Sequence, residues 1–89
     1  MTQHLPPGRI HGRVVWAIDG QPVAGASVRV LDDGVVVDLQ WTNAAGEFTS
    51  RLLFAGRYRI EAERDGARGA TDGIAVELGR TTTAEIRVS

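Results

Sequence analysis

The chain has 89 residues, 43% hydrophobic and 24% charged, with a formal net charge of −1 in which every basic residue is arginine. That length holds one core and leaves no room for a second domain or a large active-site cleft, and the hydrophobic share excludes a disordered chain. The near-neutral charge lacks the concentrated positive field of a nucleic-acid binder, the absence of Cys removes disulfides, thiolate nucleophiles and Cys-bound zinc, and the absence of Lys removes Schiff-base and isopeptide chemistry.

Residues 1–8 (MTQHLPPG) read as an N-terminal tail, and residues 9–89 as one domain. The tail has neither the basic start nor the apolar stretch of a signal peptide, and no later run approaches the ~20 residues that span a bilayer. As written, the chain is expected to be soluble and not to insert into a membrane; its compartment is left unknown.

Beyond the tail, period-2 patterns predict short strands joined by turns. Ile10, Val14, Trp16 and Ile18 form the inward side of a first strand, with His11 and Arg13 outward. Asp19 to Gly25 carries turn residues and Pro22, and leads the chain away from the sheet. Ala26, Val28 and Val30 alternate with Ser27 and Arg29 in a second strand, and Asp32-Asp33-Gly34 predicts a hairpin into a third. That third strand sets Val35, Val37, Leu39 and Trp41 against Val36, Asp38, Gln40 and Thr42. Asn43 to Gly46 turns the chain, Phe48 and Leu52 mark a short fourth strand, and Phe54-Ala55-Gly56 precedes a fifth. In the fifth, Tyr58, Ile60 and Ala62 face in, while Arg57, Arg59, Glu61 and Glu63 make a solvated charged face. The sixth is expected to start irregularly through Ala67–Asp72 and recover at Ile74, Val76 and Leu78. The seventh places Ala84, Ile86 and Val88 inward, against Thr83, Glu85 and Arg87 outward.

The expected fold class is all-β: a seven-stranded antiparallel Greek-key β-sandwich, prealbumin-like or immunoglobulin-like. Gly12 would let a ring or backbone approach the first strand, Ala26 must be small at a bend, and Gly46 and Gly56 are read as turn glycines with positive φ. Tyr58 is placed to form a tyrosine corner, its hydroxyl bonded to nearby backbone and its ring in the core.

Four blocks in order, Ile10–Val14, Gly20–Val28, Thr42–Phe48 and Leu53–Tyr58, with the closing run Gly73–Val88, resemble the carboxypeptidase regulatory-like domain family. The resemblance implies a prealbumin-like sandwich that in relatives is appended to other proteins, often without activity of its own. Some relatives assist folding of a neighbouring domain, and others bind carbohydrate or protein. A related group locks itself with a Lys to Asn or Asp isopeptide bond, which this Lys-free chain cannot form. The chain also departs from the pattern at Asn43, where relatives more often carry Asp, and at Trp16 and Trp41.

No catalytic, cofactor or metal site is expected. Ser27, Ser50, Ser89 and the threonines carry no nucleophile-elbow motif beside His4 or His11. His4 lies in the tail, His11 has only scattered carboxylates for company, and Asp32 and Asp33 lack the alternating oxygen ligands of a calcium loop. Trp16 and Trp41 are expected buried or half-buried. If either is exposed it leads a contact surface with Val15 and Val36, apolar residues on nominally outward faces. The expected function is a non-catalytic accessory, scaffold or protein-interaction module whose partner is a protein, a neighbouring domain or a second copy of the chain. The alternative is a carbohydrate-binding module using an exposed Trp.

Overall fold

The computed structural model describes residues 7–89, so His4 and most of the expected tail lie outside the described residues. Seven strands follow in chain order: β1 (Arg9–Trp16), β2 (Ser27–Asp32), β3 (Val35–Trp41), β4 (Glu47–Thr49), β5 (Gly56–Arg64), β6 (Ala67–Val76) and β7 (Thr81–Val88). They form a three-stranded sheet, β4-β1-β7, and a four-stranded sheet, β3-β2-β5-β6. No helix long and apolar enough to cross a membrane occurs among the described residues.

The inward sets of β1, β2, β5 and β7 meet between the sheets. Ile10, Val14, Val28, Val30, Ile60, Ile86 and Val88 are buried together, with Phe48 and Tyr58 beside them. The Asp33-Gly34 dipeptide makes the β2–β3 turn with both φ angles positive (49° and 82°), as a two-residue hairpin requires. Gly12 meets its expectation in detail: a Cβ there would lie 2.3 Å from the Phe48 ring. Tyr58 forms its corner, the hydroxyl donating to the Phe54 carbonyl at 2.6 Å.

One strand pair departs from the all-antiparallel expectation. β1 and β7 pair in parallel from Arg9↔Thr81 to Trp16↔Val88. Hairpin geometry forces antiparallel pairing only between sequential strands, and these two are the first and last of the chain. At the far end the sheets join: Arg68 and Ser89 exchange backbone hydrogen bonds at 3.2 and 3.1 Å. A Cβ on Gly69 would sit 1.8 Å from the Arg87 carbonyl oxygen, so this closure needs a residue without a side chain.

Other expectations fail for local reasons. β1 ends at Trp16, and Ile18 falls in the following turn, 93% exposed. β4 ends at Thr49, so Leu53, bridged to Gly8, fills the core in place of Leu52. Gly46 has the positive φ expected of it; Gly56 does not and instead opens β5. β6 is regular from its first residue. Its irregularity lies in the middle, where the register with β5 shifts between Tyr58↔Ile74 and Ile60↔Thr71 around Gly73 (φ 66°). Leu78 lies beyond the strand and is exposed.

β3 carries the largest correction. Its register with β2 shifts between Val30↔Asp38 and Leu31↔Val36, leaving Val37 unpaired in a bulge. One extra residue reverses the inside and outside of everything beyond it. Asp38 and Gln40 therefore lie opposite the buried Val30 and Val28, and Leu39 and Trp41 lie opposite Arg29 and Ser27 on the outer face. Of the four residues expected inward, only Val37 packs on the core. Asp38 is satisfied on the inner flank, its carboxylate accepting the Arg51 backbone N–H at 2.8 Å and the Gln40 side-chain amide.

Candidate interaction surface

The four residues singled out from sequence separate. Trp16 is half-buried and packs against the core. Val15 is 2% exposed and leaves the candidate surface. Its side points outward, but Pro22 bridges it on one side and Arg87 lies beside it in register on the other. Backbone bonds from Trp16 to Gln21 (2.9 Å) and from Val23 to Val14 (2.9 Å) hold the β1–β2 connection against the strand. Trp41, 60% exposed, and the half-exposed Val36 remain on β3.

Between them stands Leu39, 46% exposed, although its place in the alternation of β3 implies an inward side chain. Val36, Leu39 and Trp41 pair with Leu31, Arg29 and Ser27 of β2 respectively, so all three lie on the outer face of the four-stranded sheet, at its edge. Next to this apolar stripe the same face is charged. Glu61 accepts from Arg29 at 2.8 Å and from Arg59 at 3.0 Å, and Arg59 also reaches Asp72 at 3.3 Å. The Arg59 hydrogen bond, with Arg29 adding, holds the Glu61 carboxyl below its ordinary range. These groups are open to solvent, which screens the effect.

A groove of about 480 Å³ opens where the β2–β3 hairpin meets the β4–β5 connection. Val37 and Tyr58 line it together with Asp32, Arg51 and Phe54, which is 85% exposed. The tyrosine corner ties down the Phe54 carbonyl, and burial, with the charge of Asp32, pushes the Tyr58 phenol up. In the chain pattern Phe54 only precedes the fifth strand, and nothing there marks it as exposed.

His11 is better accompanied than its sequence neighbourhood implies. Because β4 pairs with β1 as His11↔Thr49 and Arg13↔Glu47, its Nδ1 meets Thr49 Oγ1 at 2.9 Å and its Nε2 meets Glu47 Oε2 at 3.1 Å. The hydroxyl, imidazole and carboxylate lie in the order of a catalytic triad. They sit on the outer face of the three-stranded sheet, and His11 lines neither that groove nor the smaller concavity over β5 and β6. Nucleophilic catalysis also needs placed donors for the developing oxyanion. Among the described residues, no three His, Cys, Asp or Glu side chains gather as a metal site, and no buried side-chain nitrogen or oxygen lacks a partner.

Two stacked sheets of three and four strands, with first and last strands paired in parallel and a tyrosine corner at the entry to β5, define a prealbumin-like β-sandwich. Residues 9–89 match the model of the carboxypeptidase regulatory-like domain, and the chain belongs to that family. Among solved structures it is similar to a candidate carbohydrate binding protein from Bacteroides uniformis (TM-score 0.70, 20% identity, 93% of this chain and 41% of that one). It is similar also to the 5-hydroxyisourate hydrolase of Klebsiella pneumoniae (TM-score 0.67, 21% identity, 88% and 86%). A DUF3823 family protein from Parabacteroides merdae aligns with TM-score 0.65 at 18% identity, over 97% of this chain and 47% of that one. At these identities the likeness is one of fold. The chain spans less than half the length of the Bacteroides and Parabacteroides proteins. Among curated proteins none matches it.

Proposed function

We propose that the domain is a non-catalytic interaction module that docks a protein partner through the outer face of β3. The observation that carries this reading is the stripe Val36, Leu39 and Trp41, three large apolar side chains on one exposed sheet edge. Exposed aliphatic and aromatic residues in contiguity mark contact surfaces, and Trp is among the residues most enriched at the energetic centres of interfaces. Family membership supports a domain that works beside others.

A second reading has a specific observation behind it. Trp41 stands open beside Ser27, Glu63 and Arg68, which lie in register across the sheet, and an indole face flanked by hydrogen-bonding groups suits a sugar ring. The candidate carbohydrate binding protein that shares the fold points the same way.

The variant Trp16→Phe leaves Trp41 as the single indole and separates the two readings. Protein docking predicts red-shifted emission that moves to the blue as protein concentration rises or when a neighbouring domain is added. Sugar binding predicts the same shift on titration with a polysaccharide in dilute protein. Emission that stays red under every one of these conditions would sink both.

A further inference from the structure

Among the described residues the sandwich has four strand edges, and three are protected along their length. β4 is three residues long. β6 and β7 shield each other, through the Arg68–Ser89 backbone pair and the bond from Thr82 Oγ1 to the Ala75 carbonyl at 2.7 Å, and the bulge at Gly73 interrupts β6 further. β3 is the remaining edge: seven residues with neither proline nor lysine, whose own guards, the bulge at Val37 and the inward-turned Asp38, lie towards the hairpin and leave Leu39–Trp41 open. Its outward backbone groups can be assigned. Thr42 donates to the Ala26 carbonyl and accepts from the Gly25 N–H, both at 3.0 Å. Antiparallel ladders alternate, so Gln40 is the next residue bonded to β2, and the N–H and C=O of Leu39 and Trp41 face away from the sheet.

Resting on the reading of β3 as a contact surface, we infer that the partner is a second copy of this chain, joined by antiparallel β3–β3 pairing about a twofold axis through Gln40. In that register Leu39 and Trp41 of each copy meet Trp41 and Leu39 of the other, giving two doubly bonded pairs and four backbone hydrogen bonds. Each indole then covers a leucine across the strand gap, a favourable cross-strand pair. The charges agree with it: Asp38, the one charged residue of β3, faces Thr42 of the second copy, so no carboxylate opposes another, and the two Gln40 amides face each other. The axis lies clear of the bulge at Val37, which would spoil a register centred nearer the hairpin. The exposed parts of Trp41 and Leu39, on the order of 200 Å² per copy, fall well below the ~800 Å² per partner of a standard interface, so the dimer is weak and reversible.

Sedimentation velocity on the full chain, from about 10 µM to about 1 mM, tests this in the range where such small interfaces associate. Wild type is expected to move from monomer toward twice the mass, with the Leu39 and Trp41 amides exchanging more slowly as concentration rises. Leu39→Pro removes an outward N–H that bonds no described residue, and Leu39→Lys keeps the backbone while placing a charge under the partner's indole. Both are expected to stay monomeric. A wild type that remains monomeric at the highest concentration overturns the self-pairing and leaves the interaction reading to the Trp41 fluorescence test. A dimer that survives both substitutions overturns it differently, by locating the association on another edge.

Discussion

Gly12 and Tyr58 show how single residues set this fold. The Phe48 ring occupies the space a Cβ at Gly12 would need, so Gly12→Ala forces the ring or the strand to move. Overpacking of this kind costs about 1–3 kcal/mol, to be read as a lower urea midpoint with an unchanged slope. Tyr58→Phe keeps the buried ring and removes the bond to the Phe54 carbonyl; the expected loss is about 1 kcal/mol, measured in the same way. Glu61 adds a pH dependence of known sign. Its carboxyl is held low in the folded state by Arg59 and Arg29, so the stabilisation is complete above the unfolded carboxylate pKa of about 4.3 and fades as pH falls through the lower folded value. Unfolding midpoints at pH 7 and pH 3 should differ by less in Glu61→Gln than in wild type, and added salt should shrink the difference.

At the level of the strand, the informative element is β3. Eight residues of clean alternation, Val35 to Thr42, predict one buried face, and the bulge at Val37 turns Leu39 and Trp41 outward. The outward placement predicts that Leu39→Ser and Trp41→Ser each change stability by no more than about 0.5 kcal/mol, as exposed positions do, whereas Val37→Ala, packed on the core, costs about 1 kcal/mol or more. Chemical denaturation of the three variants checks the order; a large loss at Leu39 would restore it to the core. Alternation was legible in β1, β2, β5 and β7 because those strands keep one phase through their inward residues. It misled in β3 because a bulge leaves no mark in hydropathy. In β6 the reverse holds: Arg68, Gly69 and Asp72 blur the pattern although the strand starts at Ala67 and pairs with β5 in one register as far as Thr71.

Across the whole molecule, the first strand pairs with the last, so the three-stranded sheet cannot form until nearly all of the chain is in place. Such non-local pairing slows folding, and refolding is expected in the millisecond-to-second range. Stopped-flow fluorescence measures it, the signal coming mainly from Trp16, which packs against the core while Trp41 stays largely exposed. The sandwich, its seven strands, most of its core and the hairpin at Asp33-Gly34 were legible in the chain, because each follows from the period of side chains along one strand or from the backbone freedom of one or two residues; the tyrosine corner was legible from the place of Tyr58 just after a glycine. The tertiary structure alone decided the parallel β1–β7 pair, the burial of Val15, the company of His11 and the exposed stripe on β3. Each of these depends on which strand lies beside which and in what register, and register is fixed by the packing of two sheets against one another, not by any single segment.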